Sequence, residues 1–216
     1  MSVLAPHARS LADGIAALGI ASAPGLHARL LAFGELLLKW NRVYNLTAIS
    51  DPAEIVTHHL LDSLAVQPLI AGLRTLVDVG SGAGLPGIPL ALACPGLAIH
   101  SVEAVGKKAS FQQQAKIELR LDNFNILNRR VEAIKPADLP AGGVEGVISR
   151  AFSSLADFVR LAGPLAKTDG VLYAMKGARP DDEIRALPPG WRIADVRVLT
   201  VPGLGAERHV LSIRRG

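Results

Sequence analysis

Residues 75–87 read Thr-Leu-Val-Asp-Val-Gly-Ser-Gly-Ala-Gly-Leu-Pro-Gly, the most informative segment of the chain for its fold class. Its first five residues form a short apolar run with one acid, Asp78, which is typical of a buried strand. The glycines that follow permit a sharp turn and let the backbone approach a ligand closely, and residues 88–94 then have the composition of a helix. The stretch therefore predicts a strand, a glycine-rich loop and a helix, as in nucleotide-binding α/β domains.

Short apolar segments alternate with helical segments after residue 73, which predicts βαβ units and a parallel sheet. We expect strands at residues 75–79, 98–102, 123–127, 146–149 and 171–175. We expect helices at residues 88–94, 106–121 and 154–165, and a charged turn at 179–185. Segments 192–201 and 209–213 have no helix between them, and the proline and glycines of their connection predict an antiparallel hairpin that ends the sheet.

The region before the sheet is helical in pattern. We expect helices at residues 3–20, 25–44 and 52–66. The third has a suitable N-cap in Asp51, with Pro52 at the first helical position. The sequence thus predicts an N-terminal helical extension at residues 1–70, packed on a Rossmann-like core at residues 71–216 as a single structural unit.

The composition is that of an ordinary globular protein. Of the 216 residues, 50% are hydrophobic and 19% are charged, which excludes a disordered or fibrous chain. The net charge of +4 is compatible with nucleic-acid binding without requiring it. The single cysteine excludes an internal disulfide and a cysteine-based metal cluster, and no apolar run approaches the roughly 20 residues of a membrane span. We therefore expect a cytoplasmic protein.

The glycine loop has two competing interpretations. Residues 78–84 spell D-x-G-x-G-x-G, which favours S-adenosylmethionine, whereas residues 82–87 spell the dinucleotide pattern G-x-G-x-x-G with Glu103 about twenty residues further on. An NAD(P)-dependent oxidoreductase is therefore the main alternative, and a nucleotide-sensing RNA-binding module without catalysis is a third. The terminal hairpin and the lack of a separate substrate domain favour a methyltransferase. The loop residues expected to contact the ligand are Gly80, Ser81 and Gly82.

Five further candidates stand where predicted strands end, which is the edge at which open α/β sheets bind ligands. Glu103 can accept hydrogen bonds from both ribose hydroxyls, and Asp78 can anchor the loop or approach the methionine ammonium group. Val131 and Glu132 are suited to flank an adenine and accept from its exocyclic amine. Arg150 follows the fourth strand. Two of these residues have a simpler explanation as well, since Glu132 can be a surface acid and Arg150 can cap the following helix.

With these residues assembled, the chain resembles the RsmG (also called GidB) family, bacterial methyltransferases that modify N7 of a guanine in small-subunit ribosomal RNA. The resemblance spans most of the chain. It is carried by residues 40–49 (WNRVYNLTAI), 59–64 (HLLDSL) and 78–89, by Glu132, and by residues 150–152 (RAF), 176–177 (KG) and 207–209 (ERH).

The resemblance implies a class I S-adenosylmethionine-dependent methyltransferase whose partner is 16S ribosomal RNA or the small ribosomal subunit. It implies cofactor contacts at Gly80, Leu85, Val131, Glu132 and Arg150. Two departures from the family pattern are present. Leu85 stands where many relatives carry an aromatic residue, and residues 107–108 are Lys-Lys where Lys-Arg is common.

Methylation at guanine N7 needs few catalytic groups, because N7 carries an unprotonated in-plane lone pair and requires only in-line approach to the methyl group. We therefore predict no general base, and we assign Arg150 and Phe152 as residues that position the target base. Packing in the core is the alternative role for Phe152. No metal site is expected, since His58 and His59 are adjacent and lack the i, i+4 spacing of a helical metal pair.

Basic residues near the C-terminus are the candidates for RNA binding, although scattered surface charge explains any one of them equally well. These candidates are Arg192, Arg197, Arg208, Arg214 and Arg215. We also hypothesise that residues 41–62 help to form the RNA-facing rim. In the alternative interpretation, Trp40 and Tyr44 lie one helical turn apart and belong to the core. We expect the protein to be a monomer.

Overall fold

The computed structural model describes residues 2–21, 24–150 and 152–216. Ala151, in the middle of the 150–152 motif, lies outside these residues. The seven strands form one mixed sheet in the order β3-β2-β1-β4-β5-β7-β6. Their bounds are β1 Thr75–Val79, β2 Ala98–Val102, β3 Phe124–Leu127, β4 Val144–Ser149, β5 Ala166–Lys176, β6 Trp191–Val198 and β7 His209–Arg215.

The helices occupy the predicted regions, except for a short additional helix at Asp181–Arg185. They are α1 Ala8–Ala17, α2 Leu26–Tyr44, α3 at residues 52–64, α4 Gly87–Ala93, α5 Gly106–Glu118, α6 Leu155–Ala162 and α7 Asp181–Arg185. Shorter 3₁₀ turns lie at Ala5–His7, Gln67–Leu69, Val131–Ala133, Pro136–Asp138, Pro140–Gly142 and Gly163–Leu165. The predicted α/β class with a closing antiparallel hairpin is confirmed, because β1 to β5 are parallel neighbours and β7 pairs antiparallel with both β5 and β6.

Helix α3 has an unusual centre. Asp51 caps its N-terminus as predicted, since its side chain accepts hydrogen bonds from the backbone N–H groups of Ala53 and Glu54. Ile55–Leu61 then forms a π-helical segment between two short α-helical pieces, where the sequence pattern predicted a regular helix. π-Helical turns are rare in proteins, and those that occur often lie at functional sites. This one carries the adjacent residues His58 and His59, the second of which begins the 59–64 motif.

Two other predicted elements were wrong in detail. The charged turn expected at 179–185 contains α7, a helix whose first turn is acidic and so complements the positive end of the helix dipole. The first predicted helix, at 3–20, is shortened to α1 after a 3₁₀ turn, and Gly19 beyond it has φ +68°. A left-handed glycine is a common way for a helix to end.

The N-terminal helices share a hydrophobic cluster with one face of the sheet. Phe33 of α2 is fully buried, and its ring lies 6.1 Å from that of Phe111 on α5. Trp40 packs on the same Phe111 ring at 5.7 Å, which makes Trp40 part of this packing. A second cluster, which includes Val77, Phe158 and Leu172, covers the other face. The sheet is therefore covered on both faces, as parallel sheets require.

Candidate active site

The glycine loop lies where the chain reverses its direction across the sheet. From β1 the chain adds β2 and β3 on one side, and then places β4 on the other side of β1. In open α/β sheets a crevice forms at such a switch point, outside the carboxyl ends of the strands. The loop begins at Gly80, directly after β1, and a cleft opens beside it.

The cleft is lined by residues at or just after the ends of four strands and by one residue of α6. They are Val79, Gly80, Val102, Glu103, Ala104, Arg129, Arg130, Val131, Glu132, Phe152 and Leu161. Among the predicted cofactor residues, the cleft thus brings together Gly80, Glu103, Val131 and Glu132. Phe152, a predicted base-positioning residue, lies in the same cleft.

The glycines of the loop have different steric surroundings. Gly82 has φ +57°, and nothing lies within 4 Å of where a Cβ would be, so the space above this residue is open to a ligand. At Gly84 a Cβ would collide with Ile88, and at Gly87 it would lie 2.8 Å from a carboxylate oxygen of Asp78. Gly82 therefore gives access to the loop, whereas Gly84 and Gly87 permit close packing of the following helix against the sheet.

Glu103 connects the loop to the cleft. Its Oε2 accepts a hydrogen bond from Gly82 N at 2.7 Å, and its Oε1 accepts one from Val105 N at 2.7 Å. A carboxylate has about four lone-pair positions, so each oxygen keeps capacity for a further donor. The side chain can hold the loop and still accept hydrogen bonds from a ligand in the cleft.

Five predicted cofactor residues do not line the cleft. Gly82 lies two residues after Gly80, which lines the cleft, and the space above Gly82 is open. Leu85 is 9% exposed and belongs to the main hydrophobic cluster. Ser81 is 2% exposed, with its hydroxyl 2.6 Å from that of Ser101 on β2. Asp78 is fully buried, and Arg150 lines a separate polar pocket that is described below.

Asp78 acts from beneath the loop. It has no exposed surface, and its Oδ2 accepts a hydrogen bond from Gly87 N at 2.8 Å, at the start of α4. Its other carboxylate oxygen has no hydrogen-bond partner. Burial raises the pKa of Asp78 to about 7, against the lowering effect of the Gly87 hydrogen bond. The geometry supports the anchoring role predicted for Asp78 rather than contact with a ligand ammonium group.

Arg150 points toward the N-terminal extension. Its Nη2 lies 3.1 Å from Asp62 Oδ2, and the Nε of Arg208 donates to Asp62 Oδ1 at 2.9 Å. The side chain of Asp62 is 1% exposed, whereas those of Arg150 and Arg208 are 25% and 22% exposed. One buried carboxylate thus orients two guanidinium groups, which leaves a net positive charge at the surface.

A polar pocket surrounds these arginines. It is lined by Asp62, Arg150, Met175, Lys176, Gly177 and Arg208. Lys176 donates to the carbonyl oxygen of Phe152 at 3.1 Å and pairs with Glu183 at 2.9 Å. His209 Nδ1 is 2.8 Å from the carbonyl oxygen of Gly177. The 176–177 and 207–209 motifs therefore meet beside the cleft. Lys176 of the first motif holds the backbone of Phe152.

The histidines of α3 have structural partners. His59 is 5% exposed, and its Nε2 lies 2.9 Å from the hydroxyl of Thr47. Burial, together with the nearby charge of Arg150, lowers the pKa of His59 to about 4, so the ring is neutral at physiological pH. Within residues 2–21, 24–150 and 152–216, no group of three or more His, Cys, Asp or Glu side chains could hold a metal ion.

The five arginines predicted to bind RNA do not gather at one place. Arg208 lies in the polar pocket, and Arg197 pairs in register with Val210 near the same edge of the sheet. Arg192 pairs with Arg214 toward the opposite edge, because β7 runs antiparallel to β5. Arg215 stacks on Trp191 at that opposite edge, 4.9 Å from the ring centre. The structure therefore separates this set into two groups.

Sequence reasoning missed the residues that support the loop from below. Gln112 and Ser101 are both 0% exposed and join Ser81 in a buried hydrogen-bond network. Gln112 is the first of three consecutive glutamines, and a polar run of this kind gives no signal that one member is buried. Asp62 was noted only as a member of the 59–64 motif and of the 41–62 range, and no local pattern indicates its two arginine partners.

Comparison with known proteins gives one consistent family. The family described as "rRNA small subunit methyltransferase G" (GidB) matches residues 26–211. A protein of Azoarcus sp. (strain BH72) named "Ribosomal RNA small subunit methyltransferase G" is 63% identical over 216 residues, which is 100% of both chains. A protein of the same name from Pseudomonas syringae pv. syringae (strain B728a) is 46% identical and covers 97% of this chain and 95% of its own.

Solved structures agree on the fold. A SAM-dependent methyltransferase from Aquifex aeolicus aligns with a TM-score of 0.56 and 19% identity, over 78% of this chain and 96% of that one. TYW2 from P. horikoshii, solved in complex with MeSAdo, aligns with a TM-score of 0.54 and 12% identity, over 72% and 62% of the two chains. At these identities the likeness shows the fold alone.

The buried carboxyl group of Asp78 predicts a pH-dependent difference in stability. Because its folded-state pKa of about 7 exceeds the ordinary value of 3.8, the unfolded state releases the proton first as pH rises, and wild type loses stability between about pH 4 and pH 7. The Asp78→Asn variant lacks this loss. Its unfolding free energy should therefore rise relative to wild type, by on the order of 4 kcal/mol from pH 4 to pH 8.

Urea unfolding followed by tryptophan fluorescence at several pH values measures this difference. Asp122→Asn, at an exposed carboxylate, serves as the control and should show no comparable trend. An Asp78→Asn difference that stays constant between pH 5 and pH 8 would contradict the prediction.

Proposed function

We infer the function from one premise: this chain belongs to the GidB family of rRNA small subunit methyltransferases. It is an S-adenosylmethionine-dependent methyltransferase that acts on 16S ribosomal RNA, and the atom that it methylates is N7 of a guanine. The observation that carries this conclusion is the 63% identity with a relative of that name over the full length of both chains. The same finding decides against the NAD(P)-dependent oxidoreductase.

We propose that the adenosyl part of the cofactor binds in the cleft beside the glycine loop. Glu103 accepts hydrogen bonds from the ribose hydroxyls through the lone pairs that the loop leaves free. Val131 packs on the adenine, and Glu132, which is exposed on the 3₁₀ turn after β3, accepts from the exocyclic amine. The open space above Gly82 suits a ligand that lies over the loop backbone. These residues fit an adenosyl group.

The protein's own part in the reaction is orientation. When bound, S-adenosylmethionine supplies an electrophilic methyl group, and guanine N7 attacks it without giving up a proton, so no general base is needed. Phe152 stands in the cleft with its backbone held by Lys176 and its ring 5.1 Å from that of Phe158. We propose that it stacks on the target base, an interaction worth roughly 1 to 3 kcal/mol.

Arg150 is proposed as the second positioning residue, held in one orientation by Asp62. Arg208 shares Asp62 and lies next to Lys176, so the polar pocket offers positive charge close to the cleft. Phosphate groups of RNA are attracted by such charge. We therefore propose that Arg208, with Arg197 near the same edge of the sheet, contacts the RNA backbone.

The cellular location of the protein is a further proposal. Ribosomal RNA as substrate supports a cytoplasmic location, and no helix among the described residues is long and apolar enough to cross a membrane. A monomeric state and a mechanism without metal stay predictions.

The substrate assignment predicts a specific loss of one modified base. Small-subunit RNA from cells that lack this protein should lose one N7-methylguanine, detected as the disappearance of a chemical cleavage site, and the purified protein with S-adenosylmethionine should restore it. Calorimetry should detect binding of S-adenosylhomocysteine and none of NADH. An unchanged cleavage pattern would contradict the substrate assignment. Binding of NADH without binding of S-adenosylhomocysteine would favour the oxidoreductase hypothesis instead.

The location of the arginines predicts unequal effects on RNA binding. Arg208→Gln should weaken binding of small-subunit RNA and reduce the slope of log K against log salt by about 0.7 to 0.9, the contribution of one phosphate contact. Arg214→Gln is the matched control, because Arg214 lies toward the opposite edge and donates to the carbonyl of Asp169. Filter binding at several salt concentrations measures both. Equal slopes for the two variants would contradict the proposed pocket.

A further inference from the structure

A closed hydrogen-bond network lies beneath the glycine loop, outside the cleft. Gln112 of α5 donates through Nε2 to the hydroxyl of Ser81 at 2.8 Å and to the carbonyl oxygen of Gly82 at 2.7 Å. Its Oε1 accepts from the hydroxyl of Ser101 on β2. The two hydroxyl oxygens lie 2.6 Å apart, and all three side chains are at most 2% exposed.

The network allows one consistent assignment of its protons. Because the hydroxyl of Ser101 donates to Gln112, the hydroxyl of Ser81 must donate to Ser101. The two amide protons of Gln112 then serve Ser81 and Gly82. Every side-chain donor in the network has an acceptor, and a fully satisfied buried network fixes a unique arrangement.

The effect on the loop is to hold both peptide groups of Gly82. Gln112 binds its carbonyl oxygen from below, and Glu103 binds its N–H from the cleft side at 2.7 Å. Ser81 is held through its hydroxyl by the same network. Gly82 is the loop residue with open space above it, at φ +57°. Because glycine has no Cβ, its backbone has few intrinsic restraints.

We propose that Gln112 is a positioning residue for cofactor binding, which fixes the loop in its binding conformation and keeps the Glu103 carboxylate directed at the cofactor ribose. The proposal rests on the proposed cofactor cleft. A loop that is ordered before binding loses less conformational entropy when the ligand arrives, so a fixed Gly82 increases affinity without contributing a contact. Gln112 itself does not touch the cofactor.

Asn123 offers a matched comparison within the same protein. This amide also clamps backbone carbonyls, since its Nδ2 donates to those of Ala91, Cys94 and Leu97 at 3.0 to 3.2 Å. It precedes β3 and binds the last turn of α4 and the connection from α4 to β2, at the edge of the sheet opposite to the cleft. Loss of either amide should reduce stability, but only Gln112 reaches the glycine loop.

The test compares Gln112→Leu with Asn123→Leu at a temperature where both are folded. Three quantities are measured: hydrogen exchange of the loop amides at residues 80–85 in the ligand-free protein, the Kd for S-adenosylhomocysteine by calorimetry, and the steady-state constants with small-subunit RNA. Gln112→Leu should accelerate hydrogen exchange in the loop. It should also weaken S-adenosylhomocysteine binding by about tenfold, because the network stabilises the bound cofactor equally in the ground state and in the transition state. KM for S-adenosylmethionine should rise to a similar extent, with kcat and KM for RNA unchanged.

Asn123→Leu should lower the melting temperature while leaving the loop exchange and the Kd at wild-type values. If Gln112→Leu does not fold, Ser101→Ala removes one link of the network and should give a smaller change in the same direction. The proposal is overturned if loop exchange and Kd stay at wild-type values in the Gln112 and Ser101 variants, or if Asn123→Leu weakens binding equally. Wild-type protein that fails to bind S-adenosylhomocysteine would instead contradict the proposed cofactor cleft.

Discussion

The backbone of Gly82 is fixed from two sides, and the cleft depends on this constraint. Its N–H donates to Glu103 and its carbonyl accepts from Gln112, each at 2.7 Å. A glycine with open space above it would otherwise be among the most mobile points of the chain. Because the loop is held by buried groups of β2 and α5, a ligand meets a prepared surface, and Glu103 serves the loop and the cleft with one carboxylate.

The sheet brings distant parts of the sequence to the same edge. Strands β1 to β5 are parallel and end there, and β7 starts there because it runs antiparallel to β5. Arg150 and Arg208 are therefore neighbours, although 58 positions separate them, and Asp62 of the N-terminal extension lies between them. The extension thus contributes a buried charge to the site as well as packing to the core.

The sequence predicted the features that depend on local pattern. The strands at 75–79 and 98–102, the glycine loop and the N-cap at Asp51 have a local signature, and Glu103 and Glu132 follow from where strands end. The directions of side chains could not be predicted from the sequence, because they depend on tertiary packing. Arg150 points toward Asp62, and Leu85 points into the core. The division of the C-terminal arginines likewise follows from the hairpin register, and the burial of Gln112 from the orientation of α5.

A crystal structure with S-adenosylhomocysteine would show whether the cleft beside Gly82 binds the cofactor. We expect the ribose hydroxyls within hydrogen-bond distance of the Glu103 carboxylate and the adenine beside Val131 and Glu132. We also expect the Gly82 backbone to keep its bonds to Glu103 and Gln112. A ligand bound elsewhere, or a loop whose bonds to Glu103 and Gln112 break when the ligand binds, would contradict these expectations.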